Sequence, residues 1–174
     1  MMDELEDALM TWKNALADYN EAMLLQKPAL NSWSMGQLYM HLVAETSFYL
    51  TQVDACLRSP QNSDQQPTAE GKAMLAANSF PDMRIEGPPT NALVQQPADK
   101  AQLIAGFDDL LKTLQRVNAQ AANSLAVGKT AHPGLGFLNA AEWAQFAAMH
   151  LRHHLRQKAR IDSFLATHAG ETEH

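Results

Sequence analysis

The stretch Met149-His150-Leu151-Arg152-His153-His154-Leu155-Arg156-Gln157 puts three of the chain's seven histidines within five residues. It sits inside a long run of helical period. His150 and His154 are four positions apart, so a helix stacks their side chains on one face. That is the spacing with which one helix offers two imidazoles to a single metal ion. On a helical wheel, Trp143, Phe146, Ala147, His150, His154, Gln157, Ile161, Phe164 and Leu165 share the apolar side. Gln145, Arg152, Arg156, Arg160 and Ser163 share the other. His150 and His154 therefore face the interior, and His153 falls at the rim.

Imidazoles in an apolar interior need partners for their ring nitrogens, and a metal ion satisfies one nitrogen on each ring. Catalytic sites of this kind use three protein ligands and keep one position open. His41, near the middle of another helical stretch and on its interior side, is the best candidate for the third ligand. Glu45 lies one turn beyond it within the apolar stripe, where a carboxylate is costly unless paired. It is read as an outer partner of a ligand histidine, a base, a ligand itself, or one half of an ion pair with an arginine.

Plainer readings stand beside these. An interior histidine taken alone is as well explained by a core hydrogen bond. His153 reads as a rim residue, and His132, beside Pro133, as a residue of a pocket mouth. His168 and His174 fall in a frayed, solvated tail. Arg152, Arg156 and Arg160 read as a solvated outer face or a subunit contact. Cys56 falls on an apolar face and reads as buried filler.

Four stretches of helical period must position these groups, and none of the chain alternates like a strand. The first spans residues 3–25, with Leu5, Leu9, Trp12, Leu16, Tyr19 and Met23 as its core stripe. The second spans residues 34–57, opened by Ser34 as N-cap, with Leu38, Leu42, Tyr49, Val53 and Cys56 facing inward. The third spans residues 98–123 and the fourth residues 139–168. Asn139 followed by Glu142 has the form of a capping box. A short loop joins the first two helices, which predicts antiparallel neighbours. Roughly 40 residues rich in Pro and Gly separate the second from the third. That length lets the chain cross the bundle and return the third helix parallel to the second. A short helix is expected at residues 68–78. Phe80, Met83, Ile85, Leu93 and Val94 predict that the crossover packs on the body. The expected architecture is all-α, a four-helix bundle with one long crossover, in a single domain over residues 1–174.

Composition excludes several functions. A net charge of −6 is unsuited to non-specific nucleic-acid binding, which needs a basic face. There is no apolar run near ~18 residues, so no membrane span is expected. The lone Cys56 and the acidic, unsignalled start fit a cytoplasmic protein.

Two stretches resemble the DinB-like (YfiT-like) superfamily of metal-dependent hydrolase-type helical bundles. Trp33-Ser34-Met35-Gly36-Gln37-Leu38-Tyr39-Met40-His41-Leu42 looks like that family's "W-S … H-L" opening of the second helix. His150 to Gln157 looks like its "H-x-x-x-H-x-x-Q". The run from His132 to Leu138, with Glu142-Trp143, is similar to a subgroup of unknown function. The resemblance implies three metal ligands at His41, His150 and His154, and a divalent ion, nickel or zinc above all. It further implies a thiol S-transferase or hydrolase acting on a small molecule with a low-molecular-weight thiol, in a possible homodimer. Arg156 stands where many relatives have Gly, so their substrates do not transfer to this chain. The rival expectation is a non-enzymatic bundle that binds a metal or small ligand, or a dimeric scaffold.

Overall fold

Helix α1 (Asp3–Ala15) begins with Asp3, Glu4 and Glu6 in its first turn and ends on Lys13, which suits the helix dipole at both ends. The computed structural model describes residues 2–81, 93–125 and 127–169. The continuous helix expected to residue 25 does not form. A 3-10 turn (Leu16–Asp18) leads into Tyr19, whose backbone is extended, and Asn20 caps a separate helix α2 (Glu21–Leu25). The Asn20 side chain accepts from the Met23 N–H at 2.9 Å. Asn is a poor residue inside a helix and a strong one at its start, so the break falls there.

Helix α3 (Met35–Arg58) opens with a full capping box. Gln37 N–H donates to Ser34 Oγ at 3.0 Å, and Ser34 N–H donates to Gln37 Oε1 at 3.0 Å. Helix α4 (Ala69–Ala77) is capped by Thr68 and closed by Asn78 in the left-handed region, φ 52°. Helix α5 (Lys100–Asn123) is capped by Asp99. A hairpin follows, β1 (Lys129–His132) and β2 (Gly136–Asn139), and leads into α6 (Ala140–His153) and α7 (Leu155–Ala169). Asn139 and Glu142 form the expected capping box. His154 interrupts the regular helix, yet its N–H still donates to His150 O and its carbonyl accepts from Lys158. The fourth stretch is thus one helical column with an irregular step at His154.

The hairpin corrects the expectation of no strands. Lys129 pairs with Asn139, Thr130 with Leu138, Ala131 with Phe137 and His132 with Gly136, antiparallel. Each strand is only four residues long, too short to show a period. Gly136 makes it possible. It has φ +78°, and a Cβ there would fall 2.8 Å from Thr68 N and 2.9 Å from Gln66 O. The fold remains mostly helical and all-α in class.

Helix α3 packs between α5 and α6, and α1 packs against the other sides of the same two helices. The four columns close a ring around one core containing Leu5, Leu9, Trp12, Leu38, Leu42 and Phe107. Helix α5 does run parallel to α3. Pro97 lies on Gly36, Gly106 on Val43, and Arg116 pairs with Asp54 at 2.9 Å. The first two long helices, by contrast, are not lateral neighbours; α2 covers α3, and α1 meets α3 across the core. There Tyr39 OH donates to Trp12 O at 2.7 Å, and Trp12 Nε1 donates to Leu151 O at 3.0 Å. Of the crossover residues, Phe80 packs on the core and Val94 is half-buried, but Leu93 is 76% exposed, against expectation. Met83 and Ile85 lie outside the described residues. Among the described residues, no helix is long and apolar enough to cross a membrane.

Candidate metal centre

Helices α3 and α6 run antiparallel, which sets the register of the site. Cys56 Sγ meets Leu138 O at 3.5 Å, the Tyr49 ring meets Phe146 at 5.2 Å, and His41 meets His154 at 5.1 Å between ring centroids. His41 on α3 therefore arrives at the level of His150 and His154. Its ring centroid lies 5.3 Å from that of His150, and those of His150 and His154 are 4.6 Å apart. One ligand atom from each of the three lies within 4.8 Å of the others.

The atoms within this cluster fit a shared cation. His150 Nε2 and His154 Nε2 approach to 3.2 Å. Two nitrogens bound to one ion at about 2.0–2.1 Å each, at a near-tetrahedral angle, lie roughly 3.3 Å apart. His154 Nδ1 donates to Gln157 Oε1 at 3.0 Å, which fixes the proton on Nδ1 and leaves the Nε2 lone pair facing His150. His150 is buried, and its Nδ1 has no hydrogen-bond partner among the described residues. Two buried Nε2 atoms aimed at each other are costly unless a proton or an ion lies between them.

The electrostatics favour neutral rings, the form a metal needs. Burial holds His41 down to about 4. Burial also holds His154 down to about 4, against the opposing bond from Gln157. His150 is pushed well below the ordinary histidine value by burial, and then by the neighbouring histidines. The walls are aromatic. Trp33 lies 4.9 Å from His41, Tyr49 5.5 Å from His150, and Phe80 6.4 Å from His150.

Glu45 is half-buried on the same face of α3, but it does not join the three-histidine group. Its Oε2 accepts from the Tyr49 hydroxyl at 2.9 Å, so the partner is a tyrosine rather than the arginine considered from sequence. Burial, then the Glu45 charge, raises the Tyr49 hydroxyl and keeps it protonated as that donor. His153 sits at the rim as expected, its ring 5.1 Å from Phe80. His132 lies against Phe146 at 4.6 Å and accepts from Gly134 N–H at 3.1 Å through Nδ1. Burial lowers it. It is an aromatic-wall residue, separated from the cluster by Phe146.

Two placements differ from the sequence reading. His168 is half-buried in the last turn of α7, where its ring packs 4.1 Å from Phe164 and Nδ1 meets the Phe164 carbonyl at 2.9 Å. His174 lies outside the described residues. Arg152 is no solvated stripe residue. Its Nη2 donates to Asn78 O and Oδ1, both at 3.1 Å, and Nη1 lies 3.5 Å from Glu4. The sequence shows Gln157 as a polar residue on an apolar face and as the last residue of the family-like motif, without a role. Its position three after His154 was the available signal for an orienting partner. Cys56 is buried filler as expected, its thiol raised by burial.

Comparison with known protein families gives one match, to the model described as the DinB superfamily, over residues 4–157. No curated protein and no solved structure matches the chain.

Proposed function

The chain belongs to the DinB superfamily, and from that premise we propose that it is a divalent-metal-dependent enzyme acting on a small-molecule substrate, by thiol S-transfer or by hydrolysis. The observation that carries this reading is the 3.2 Å approach of two Nε2 atoms beside His41, within a cluster whose ligand atoms lie inside 4.8 Å. His41, His150 and His154 are the residues that would hold the ion; imidazole donors suit zinc, nickel, copper or iron, and zinc or nickel is the choice the family resemblance implies. When bound, such an ion supplies a Lewis acid that favours an ionised thiol or an activated water near neutral pH.

The chain's own residues do the rest. Gln157 orients His154 and keeps its Nε2 lone pair directed at the cluster. Tyr49 aims the Glu45 carboxylate, which we assign as proton acceptor. Phe80, Tyr49 and Trp33 exclude water from the rings they cover. We place the protein in the cytoplasm as a single domain over residues 1–174, working with a low-molecular-weight thiol and able to form a homodimer. A second reading, a non-enzymatic bundle around a structural metal, draws on the deep burial of His150.

The test begins with metal analysis of the purified protein by inductively coupled plasma mass spectrometry. Zinc and nickel titration of the wild type and of His150→Ala follows, then a thiol-transfer and hydrolysis screen. A wild type that takes up no metal after reconstitution sinks the proposal. Tight metal with a large rise in melting temperature, and no turnover of any electrophile or ester, favours the structural reading.

A further inference from the structure

The helical column that carries His150 and His154 steps at His154 itself. Regular helix ends at His153 and restarts at Leu155. At His154 ψ is −8°, where a regular α-helix has about −42°. His154 N–H still reaches His150 O, and Lys158 N–H still reaches His154 O. The ladder therefore fails on the rungs between, beginning with Leu155 N–H to Leu151 O.

Sharp breaks in a helix have few causes: proline, glycine with serine, a π-bulge, or a side chain or water that enters the ladder. The run from His150 to Gln157 contains no Pro, Gly or Ser and no β-branched residue. No π turn is present among the described residues. A side chain does enter. Trp12 Nε1, on α1, donates to Leu151 O at 3.0 Å, and so holds the carbonyl that Leu155 N–H would take. Trp12 and Leu151 are both fully buried, so the indole has no water to turn to, whereas Leu155 lies at the surface, where water can take the freed N–H.

The same tryptophan is held from α3. Tyr39 OH donates to Trp12 O at 2.7 Å, and the two rings meet edge-on at 5.2 Å. Tyr39 precedes His41 by two positions, and Leu151 follows His150. One residue of α1 is thus tied to both helices that supply the histidines. The step it meets lies where the cluster is most exacting. His154 Nε2 approaches His150 Nε2 to 3.2 Å while its Nδ1 meets Gln157 at 3.0 Å. Both distances depend on the backbone at His154.

We infer that Trp12 is a positioning residue of the three-histidine site: by holding Leu151 O, its indole N–H imposes the step at His154 and so sets the aim of that imidazole between His150 and Gln157. The inference rests on the metal-dependent reading above and adds to it a residue outside the three-histidine group.

Trp12→Phe keeps a buried ring and removes the donor. Phe107→Leu, a core change beside Tyr39 on α5, is the control for lost packing. Amide hydrogen exchange of the metal-free full chain reads the step. In the wild type, Leu155 N–H should exchange roughly tenfold faster than the bonded amides of His154 and Lys158. In W12F it regains the Leu151 carbonyl, so its protection should rise relative to theirs, although the variant as a whole is less stable. Zinc titration against a chromophoric chelator should show W12F roughly tenfold weaker than the wild type and F107L within about threefold, although F107L also melts earlier. The visible absorption of the cobalt-loaded protein should shift in W12F and not in F107L. Tyr39→Phe, which frees the Trp12 carbonyl, should weaken zinc binding in the same sense, and it carries the test if W12F does not fold. A Leu155 amide that stays unprotected in W12F overturns the inference, as does a zinc affinity that falls equally in W12F and F107L. A wild type that takes up no zinc overturns the metal reading and this role with it; a wild type that takes up zinc no better than W12F does overturns the role alone.

Discussion

Replacing Gln157 with methionine keeps the side chain's length and removes the oxygen that accepts from His154 Nδ1 at 3.0 Å. Three consequences can be sized. In the metal-free protein the lost bond costs about 1 kcal/mol, because His154 is only half-buried and water can reach its N–H. For metal binding the cost is larger, since the bond sets both the tautomer and the ring plane of a ligand. Loss of such an outer partner lowers metal affinity about 10- to 100-fold, or roughly 1.4–2.7 kcal/mol. Gln157→Glu should act in the opposite direction, because a carboxylate accepts the same proton and makes the imidazole a better donor. The assay is zinc titration in competition with a chromophoric chelator, beside urea melts of each metal-free variant. The expected order of affinity is Q157E at or above wild type, wild type, then Q157M at least tenfold below. If Q157M holds zinc as tightly as the wild type while His150→Ala does not, the 3.0 Å bond does not orient the ligand and the reasoning fails. If metal-free Q157M loses several kcal/mol, Gln157 is chiefly a packing residue.

Four other outcomes follow from the same geometry. His150→Leu should abolish zinc binding yet leave the metal-free protein as stable as the wild type or more so, because it removes a buried nitrogen with no partner among the described residues; a clear drop in the metal-free melting temperature would contradict this. The metal-free protein should lose stability as pH falls from about 6.5 to about 4. His41 and His154 are held near 4 in the fold, so over that window the unfolded chain binds more protons and is favoured. The slope should be on the order of 1–3 kcal/mol per pH unit near pH 5, read from urea melts, and His41→Phe should flatten it; a flat wild-type profile would refute the burial argument. Tyr49→Phe should leave zinc affinity within about threefold but lower turnover in whichever assay the screen identifies, since Glu45 loses the donor that aims it. Gly136→Ala should destabilise the fold by about 1–3 kcal/mol, because its φ of +78° and the nearby Thr68 and Gln66 backbone leave no room for a methyl group. Melting curves of that variant would settle the hairpin's contribution.

The parts of this fold that were legible from sequence share a physical origin: they are written in local spacing. Ser34 with Gln37, and Asn139 with Glu142, declare helix starts because both partners of each box lie within one turn. His150 and His154 declare a shared face for the same reason, and the long crossover declares a parallel return of α5. What was hidden depends on groups far apart in the chain. The break at Tyr19 is one case. The residue sits on the apolar stripe of an apparently continuous helix, yet its hydroxyl bonds Asp162 at 2.5 Å, 143 positions away. The hairpin is another, since Gly136 matters only because Gln66 and Thr68 pass beside it. Arg152 is a third: its wheel position faces outward, but α4 rises to meet it and supplies Asn78.

The candidate site mixes the two kinds of information. Spacing alone selected His150 and His154, and placed His41 on an inward face. The 4.8 Å cluster, however, exists because antiparallel packing of α3 on α6 sets Tyr49 against Phe146 and thereby slides His41 level with His154. Glu45, one turn further along α3, accepts from Tyr49 on the same helix and stays outside the three-histidine group. One registration of two helices thus decides both which residues can hold an ion and which carboxylate is left beside it. A mutation that shifted that register by a single turn would exchange their places without touching either group.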